Sequence, residues 1–365
     1  MSKLKKRADG LYQLTVMVEE RGIRKRKYFY GKTQQEAKRK MMAYQEALEA
    51  GRSFSEVASE WQDTHWPDIA AGTQTCYAPA LKRALSAFSD TPVKQVTPLD
   101  IRRTLEQMAA QGYAHHSVVV YLSVLTQIFD HAITMQDITE NPTASIRVPK
   151  GLKTAQRECP SEESLSLIRQ HVDDPFGLFA YLLLYTGLRR GELLALQWRD
   201  IDLGNRSISV RKSVTYAATG NRPEIKSPKT EAGEREVILL DRLAVKLFPL
   251  QGKPEEYLFG GAQPLTQSEF RTRWRKYCLD AGLWEWAETT RRQGRKKVKV
   301  LVKEPSITPH QLRHAYATLC YEMGVEPKDA QQLLGHSKLE VTMDTYTHIR
   351  RKRRSAVADK LNKAE

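Results

Sequence analysis

Thr308-Pro309-His310-Gln311-Leu312-Arg313, followed by Leu334-Gly335-His336-Ser337 and Thr345-Tyr346-Thr347-His348, is the stretch that decides how this chain is read. Thr308 at an N-cap, Pro309 at N1 and Gln311 at N3 predict a helix start, with His310 at N2 and Arg313 one turn on along the same face. A helix N-terminus presents unsatisfied N–H groups and positive potential, which favour a phosphate. Arginines clamp phosphate oxygens, imidazoles donate hydrogen bonds or carry protons, and a tyrosine hydroxyl can attack phosphorus. Taken singly, each is an ordinary surface or packing residue, and Tyr346 is one of fifteen tyrosines. A phenol with a pKa of roughly 10 is a poor nucleophile near neutrality unless cations assist it. Val341-Thr342-Met343 before Tyr346 and Arg350-Arg351 after it predict a short, solvent-accessible helical segment.

Two further residues lie upstream. Arg189 follows an apolar helix and the Thr186-Gly187 break. A charge there must reach water, an acid or a ligand, and Glu192 at i+3 is the nearest acid. Lys229, in Ser227-Pro228-Lys229-Thr230, falls in a turn-rich connection between two strands. A turn lysine is commonly a solvated charge, but one with a lowered pKa can protonate a departing alkoxide.

The charge distribution points to a polyanion. Of 365 residues, 41% are apolar and 28% charged, a globular composition with room for two or three domains, and the net charge is +15. That charge comes in blocks. Residues 1–40 hold thirteen Lys/Arg against four Asp/Glu, residues 291–303 hold seven Lys/Arg and no acid, and residues 350–354 are all basic. The rest of the chain is therefore net negative. Basic blocks of this kind predict nucleic-acid contact more readily than a solvated surface does. Four cysteines far apart, in no metal-ligand spacing, predict free thiols in a reducing compartment. The N-terminus lacks an apolar signal region, and the longest apolar run, Phe176 to Tyr185, is too short to span a bilayer. The expectation is a cytoplasmic protein with no membrane partner.

Residues 11–18 and 23–30 predict a β-hairpin with Arg24, Arg26, Tyr28 and Tyr30 on one face, and Thr33-Gln34-Gln35-Glu36 opens a helix running to about Ala50. A two-stranded ribbon fits a major groove, so Arg24, Arg26 and Tyr28 are candidate DNA contacts. Residues 53–141 read as four or five helices. Phe54, Val57 and Trp61 share one face, Thr97-Pro98-Leu99-Asp100 is a helix start, and a helix from Tyr113 to Ala132 places Val118, Val119, Leu122, Leu125 and Phe129 at apolar positions until Asn141-Pro142 ends it. Residues 142–160 read as a linker, with Lys150 and Lys153 as further candidate DNA contacts. Beyond Ser161 the pattern is helical, interrupted by strands at Ser207 to Val214 and Glu236 to Leu240 with a turn-rich connection at Pro223 to Gly233. Gln293 to Val302 reads as a short hairpin. The basic insertion at residues 284–305, with Arg295 and Lys297, is either an extra DNA contact or a solvated loop. The fold class is mainly α with small β-sheets.

The blocks TGLRRGELLAL around Arg189, PKTEAGER around Lys229, HQLRHAYAT around His310 and Arg313, and LGHSKLEVTMDTYTH with His336 and Tyr346 resemble the tyrosine recombinases, the phage-integrase family, in order and spacing over roughly residues 160–350. The resemblance implies an arm-type DNA-binding domain at 1–50, a helical, SAM-like core-binding domain at 51–148 and a mixed α/β catalytic domain at 158–365. It implies that Tyr346 attacks a DNA phosphodiester, leaving a 3′-phosphotyrosyl link and a free 5′-hydroxyl. Arg189 and Arg313 would hold the non-bridging oxygens, His310 and His336 would bind the phosphoryl group or manage protons, and Lys229 would protonate the 5′-oxygen. One diester replaces another, so neither ATP, metal nor other cofactor is implied.

The implied function is site-specific recombination that integrates and excises a mobile element such as a prophage. The implied partners are double-stranded attachment sites and three further copies in a homotetramer on paired sites, with a directionality factor and a host DNA-bending protein as further candidates. A tail helix over Ser355 to Ala364 would dock on a neighbouring copy. Alternatives are a chromosome- or plasmid-resolving recombinase, a type IB topoisomerase, or a non-catalytic DNA-binding regulator. The separate N-terminal unit favours an integrase over the resolving enzymes.

Overall fold

The computed structural model describes residues 3–20, 23–154, 159–217, 220–227, 234–293, 296–340, 342–343 and 346–347. The chain divides into two compact units, Met1–Ala155 and Gln156–Glu365. All four cysteines are free thiols, with Cys278 and Cys320 buried.

The first unit opens with β1 (Lys3–Lys6), β2 (Tyr12–Glu20) and β3 (Ile23–Gly31), an antiparallel sheet in that order, followed by α1 (Gln34–Ala50). The predicted hairpin thus gains a third strand from a lysine-rich segment that carries no β-branched signal. Tyr28 pairs with Thr15 and Arg26 with Met17. Side chains alternate along a strand, so Leu14 and Phe29 turn to the helix and bury with Ala37. Arg24, Arg26, Tyr28 and Tyr30 fall on the opposite, exposed face. Lys27, on the helix side, lies 3.9 Å from the Tyr44 ring centre and donates to its hydroxyl at 2.8 Å. At the helix start Glu36 N–H donates to Thr33 Oγ1 (3.1 Å), while the Glu36 carboxylate accepts from Lys32 N–H (2.8 Å), one residue earlier than a capping box requires.

Four helices follow: α2 (Phe54–His65), α3 (Ala71–Phe88), α4 (Pro98–Ala110) and α5 (His115–Thr134). Thr97 caps α4 as expected, its Oγ1 accepting from Asp100 N–H (3.3 Å) while the Asp100 carboxylate accepts from Thr97 N–H (3.0 Å). Phe54, Val57 and Trp61 are wholly buried beside Tyr121, Leu125 and Phe129. By length and composition α5 alone among the described helices is apolar enough to cross a membrane, and it buries seven side chains in this core. Two expectations for it change. Val119 points outward, and the helix ends at Thr134, well before Asn141. The chain turns at Gln136 with φ of 61°, and the Asn141 amide reaches back to donate to Thr126 O (3.1 Å) and Asp130 Oδ1 (2.6 Å). The expected linker is also partly core. Thr143 and Ile146 are buried, Val148 and Leu152 pack on the bundle, and His115 N–H donates to Lys153 O (2.9 Å). The Lys150 and Lys153 side chains are exposed.

In the second unit α6 (Glu162–Gln170) precedes α7 (Gly177–Thr186), which is buried almost throughout. Phe179 packs against Phe176, Phe259, Phe270 and Trp274, fixing α7 and therefore the start of α8 (Arg190–Ala195). The strand predicted over Ser207 to Val214 is two strands in two sheets. β4 (Ile201–Asp202), β5 (Ser207–Val210) and β8 (Arg235–Ile238) form one sheet, and β6 (Ser213–Tyr216) pairs with β7 (Pro223–Lys226). The exposed Arg211-Lys212 pair carries the switch between sheets, and Pro223, as the first residue of its strand, begins what sequence suggested was only a turn.

After α9 (Asp241–Leu247) and α10 (Gln267–Asp280), β9 (Trp284–Gln293) and β10 (Lys296–Pro305) make an antiparallel hairpin much longer than expected. The outer half of β9, Glu288-Thr289-Thr290-Arg291-Arg292, has no apolar alternation, which masked the first strand. Its base is tied down by Arg275, which donates to Lys303 O (2.5 Å) and pairs with Glu304 (3.6 Å), and by Lys303 over the Trp284 ring (3.6 Å). Farther out, Lys299 pairs with Glu288 (2.6 Å), and Trp286 and Leu301 are exposed. The unit then adds α11 (Pro309–Glu322) and α12 (Pro327–Leu334).

Candidate active site

The end of α7, the start of β8 and the last turn of α12 meet at one buried carboxylate. Thr186 ends α7, and Gly187 turns the chain at φ of 64°. A Cβ on Gly187 would lie 2.3 Å from Tyr316 Cδ1, so both conformation and space demand glycine. Arg189 then stands at the N-cap of α8, with Glu192 at N3. The Glu192 carboxylate accepts from Arg189 N–H (2.8 Å) and Arg189 Nη1 (2.7 Å), so the acid partner expected from the sequence is present. It also accepts from Arg235 Nη1 (3.2 Å) and Nη2 (2.9 Å), and Arg313 Nη1 lies 4.0 Å away.

The same three arginines hold the C-terminus of α12. Arg235 Nε donates to Leu333 O (2.9 Å), Arg313 Nη2 to Leu334 O, and Arg189 Nη2 to Gly335 O (3.1 Å). Arg313 Nη1 also donates to Gly187 O (2.8 Å). The last carbonyls of a helix lack intrahelical donors and carry partial negative charge, so cations bind well there. Gly335, at φ of 63°, allows this approach, since a Cβ would meet Arg235 Nη1 at 2.8 Å.

These contacts set the electrostatics. Burial opposes the charge on Glu192, but hydrogen bonds and charge from Arg235, joined by the Arg189 N–H and charge, outweigh it and hold the carboxyl down at about 2. Burial, with Arg189 and Arg235 close by, pulls Arg313 down to about 9 while Glu192 sustains its charge, so it is cationic near neutrality. Three guanidinium groups share one carboxylate, leaving surplus positive charge. The Arg189 side chain is 44% exposed against 4% for Arg313, so Arg189 offers the accessible edge of the cluster.

His310 sits exposed at N2 of α11, behind the Thr308 cap, its ring edge-on to His314 with centroids 4.6 Å apart. His336 follows Gly335, and its Nδ1 shares a hydrogen bond of 2.8 Å with Thr342 Oγ1. Burial, reinforced by the charges of Arg313, Arg189 and Arg235, lowers His336 to about 4.

Tyr346 is not where the sequence predicted. It is 6% exposed, with its ring in an apolar cluster of Tyr316, Ala317, Cys320, Ala330 and Leu334. Its ring lies edge-on to Tyr321 (5.0 Å) and its hydroxyl donates to Val325 O (3.3 Å). Thr342 is buried as well. Burial, with Cys320 and Glu326 nearby, raises the phenol to about 12. The structure thus gathers Arg189, Arg313 and His336 and docks the phenol on Val325. Lys229, Arg295 and the Ser355 to Ala364 tail lie outside the described residues, and Lys297 falls on β10 opposite Arg292. Sequence reading passed over Arg235. Its signal was phase: in β8 it alternates with the buried Val237, on the inward side where a charge needs a partner.

The sequence model of the phage integrase family matches residues 175–353, and that of the phage integrase central domain matches residues 54–148. The chain belongs to the phage integrase family. Members of this family are tyrosine recombinases, DNA strand-transferring enzymes. The chain is 28% identical to the ICEBs1 integrase of Bacillus subtilis (strain 168), over 75% of this chain and 73% of that protein. It is 25% identical to a XerC-like tyrosine recombinase of Caldanaerobacter subterraneus subsp. tengcongensis, over 98% of this chain and 97% of that one. In fold it is similar to the Tn1549 transposon integrase solved with transposon right end DNA, with a TM-score of 0.64 and 19% identity over 84% of this chain and all of that one.

A neutral His336 has a defined titration. Its folded-state pKa near 4 lies below the ordinary 6.5, so the folded protein binds this proton less readily than the unfolded chain. The group therefore removes stability as pH falls from about 6.5 towards 4 and is neutral above that window. Histidine ring signals followed by NMR should show no titration of His336 between pH 5.5 and 8, and a midpoint above 6 would contradict the assignment.

Proposed function

We propose that the protein is a site-specific DNA integrase that cuts and rejoins duplex DNA through a tyrosine-linked intermediate, moving a mobile element into and out of a host chromosome. The observation that carries this reading is the Arg189–Arg313 cluster, cationic in excess of its one carboxylate and accessible at Arg189. A scissile phosphate placed there accepts hydrogen bonds from both guanidinium groups on its non-bridging oxygens. Preorganised donors of this kind stabilise charge developing on the phosphoryl group without reorganising at the moment of reaction. His336, neutral and fixed through Nδ1 by Thr342, has Nε2 for the phosphate, and His310 approaches from the N-terminus of α11.

The Tyr346 hydroxyl attacks phosphorus and passes its proton to the His310 imidazole, the P–O5′ bond breaks, and the phosphate stays on the 3′ strand as a phosphotyrosine. Lys229 gives its proton to the departing 5′-oxygen. Attack by a 5′-hydroxyl from a second duplex reverses these steps and completes strand exchange. In its docked position Tyr346 is held at Val325 with its proton retained, so the reaction begins with release of the phenol from that carbonyl.

The partners proposed are double-stranded attachment sites in the cytoplasm and three further copies, one protomer per half-site. Residues 1–50 serve as an arm-type contact through Arg24, Arg26 and Tyr28, residues 51–148 with Lys150 and Lys153 grip the core site, and residues 158–365 carry the chemistry. The hairpin presents Arg291, Arg292 and Lys299, on exposed positions of its strands, to the backbone of the same duplex, and Arg295 and Lys297 are proposed as further contacts on the strength of the sequence. A directionality factor and a host DNA-bending protein fit the same reading.

Tyr346→Phe should abolish the covalent adduct on a nicked attachment-site duplex while duplex affinity stays within a few-fold, measured by denaturing gel and by anisotropy. Adduct formation by that variant would overturn the mechanism. Replacing Arg24 and Arg26 together by alanine should lower the slope of log affinity against log salt for arm-site DNA by about 2, each backbone phosphate contributing roughly 0.9. An unchanged slope contradicts the arm assignment.

A further inference from the structure

Arg235 has no part in the chemistry just described, yet it bridges two of the elements that support it. It opens β8, it is only 6% exposed, and its donors go to two different elements. Nη1 and Nη2 grip the two oxygens of Glu192 on α8, at 3.2 and 2.9 Å. Nε donates to Leu333 O at 2.9 Å, in the turn of α12 that leads to His336. The guanidinium also fills the space that a side chain at position 335 would need.

We propose that Arg235 is a positioning residue for the strand-transfer reaction: it fixes the plane of the Glu192 carboxylate, and through it the Arg189 guanidinium that receives the phosphate. Each oxygen of Glu192 is shared. Oε1 accepts from Arg189 Nη1 and Arg235 Nη1, and Oε2 accepts from Arg189 N–H and Arg235 Nη2. Arg189 is half-exposed, and among the described residues its one other hydrogen bond goes to Gly335 O, a residue that Arg235 also packs against. Without Arg235 the carboxylate can rotate about its last torsion, and the accessible arginine rotates with it. A lysine supplies the charge but not three coplanar donors, so the two residues are not interchangeable here. Positioning errors of about 1 Å cost on the order of a hundredfold in rate, while binding of the rest of the duplex is untouched.

The inference rests on the recombinase reading, and one experiment separates the two. Wild type and Arg235→Lys are compared in single turnover on a nicked attachment-site duplex at saturating protein, recording the rate constant for adduct formation, the final adduct yield and the duplex Kd. A merely structural role lowers the fraction of active protein and hence the yield. A positioning role lowers the rate constant alone. The expected result is a rate constant at least about tenfold lower with yield and Kd within about threefold of wild type. A rate constant closer to wild type than that, or a yield lost in proportion to the rate, overturns the proposal. If the lysine variant does not fold, Arg235→Gln gives the same comparison with a shorter donor. Failure of the wild type itself to form an adduct would count against the recombinase reading and not against Arg235 as such.

Discussion

Glu192 lies buried with Arg189 and Arg235 hydrogen-bonded to its two oxygens and Arg313 at 4.0 Å, and the arrangement around it follows from that carboxylate. Surface pairs of this chain, such as Lys246 with Asp173, contribute about 0–1 kcal/mol. Removing one member of a buried pair instead leaves an uncompensated charge, at about 3–5 kcal/mol. The same guanidinium groups complete the last carbonyls of α12, so one network joins α8, β8, α11 and α12. Gly187 and Gly335, both left-handed, stand where side chains crowd that network. On the proposed mechanism a cluster built for cohesion also serves as an anion site, because its positive charge exceeds what one carboxylate and a helix end can balance.

Tyr346, the nucleophile we propose, stands apart from this network, with opposite physics. Tyr346 is held by apolar packing and one hydrogen bond to Val325 O, and burial keeps its proton on. On the proposed mechanism the cage is preassembled and the tyrosine is delivered to it. The mobile part is therefore the one whose displacement breaks a single hydrogen bond and an apolar contact, rather than a buried ion-pair network.

Much of this was legible in the sequence. The helical phase of Phe54, Val57 and Trp61, the Thr97 and Thr308 caps, and the Arg189–Glu192 spacing are local properties, and local properties survive folding. The failures were non-local. Nothing near Arg211 in sequence says that β5 and β6 join different sheets, because the partner strands are β8 and β7. Asn141 closes α5 from across a loop, so the end of that helix could not be placed by the next proline. Tyr346 was expected in solvent because basic residues flank it, while the cluster that buries it comes from α11 and α12. Arg235 was hidden because its partners, Glu192 and Leu333, lie 43 and 98 residues away.

The proposed chemistry depends on which hydroxyl becomes joined to DNA. Proteolysis of the denatured adduct from a nicked duplex, followed by mass spectrometry of the nucleotide-bearing peptide, tests it directly. The account predicts one modified residue, Tyr346, linked to a 3′-phosphate with the 5′-hydroxyl strand released. A nucleotide on any other tyrosine or on a serine, or attached through a 5′-phosphate, would contradict it.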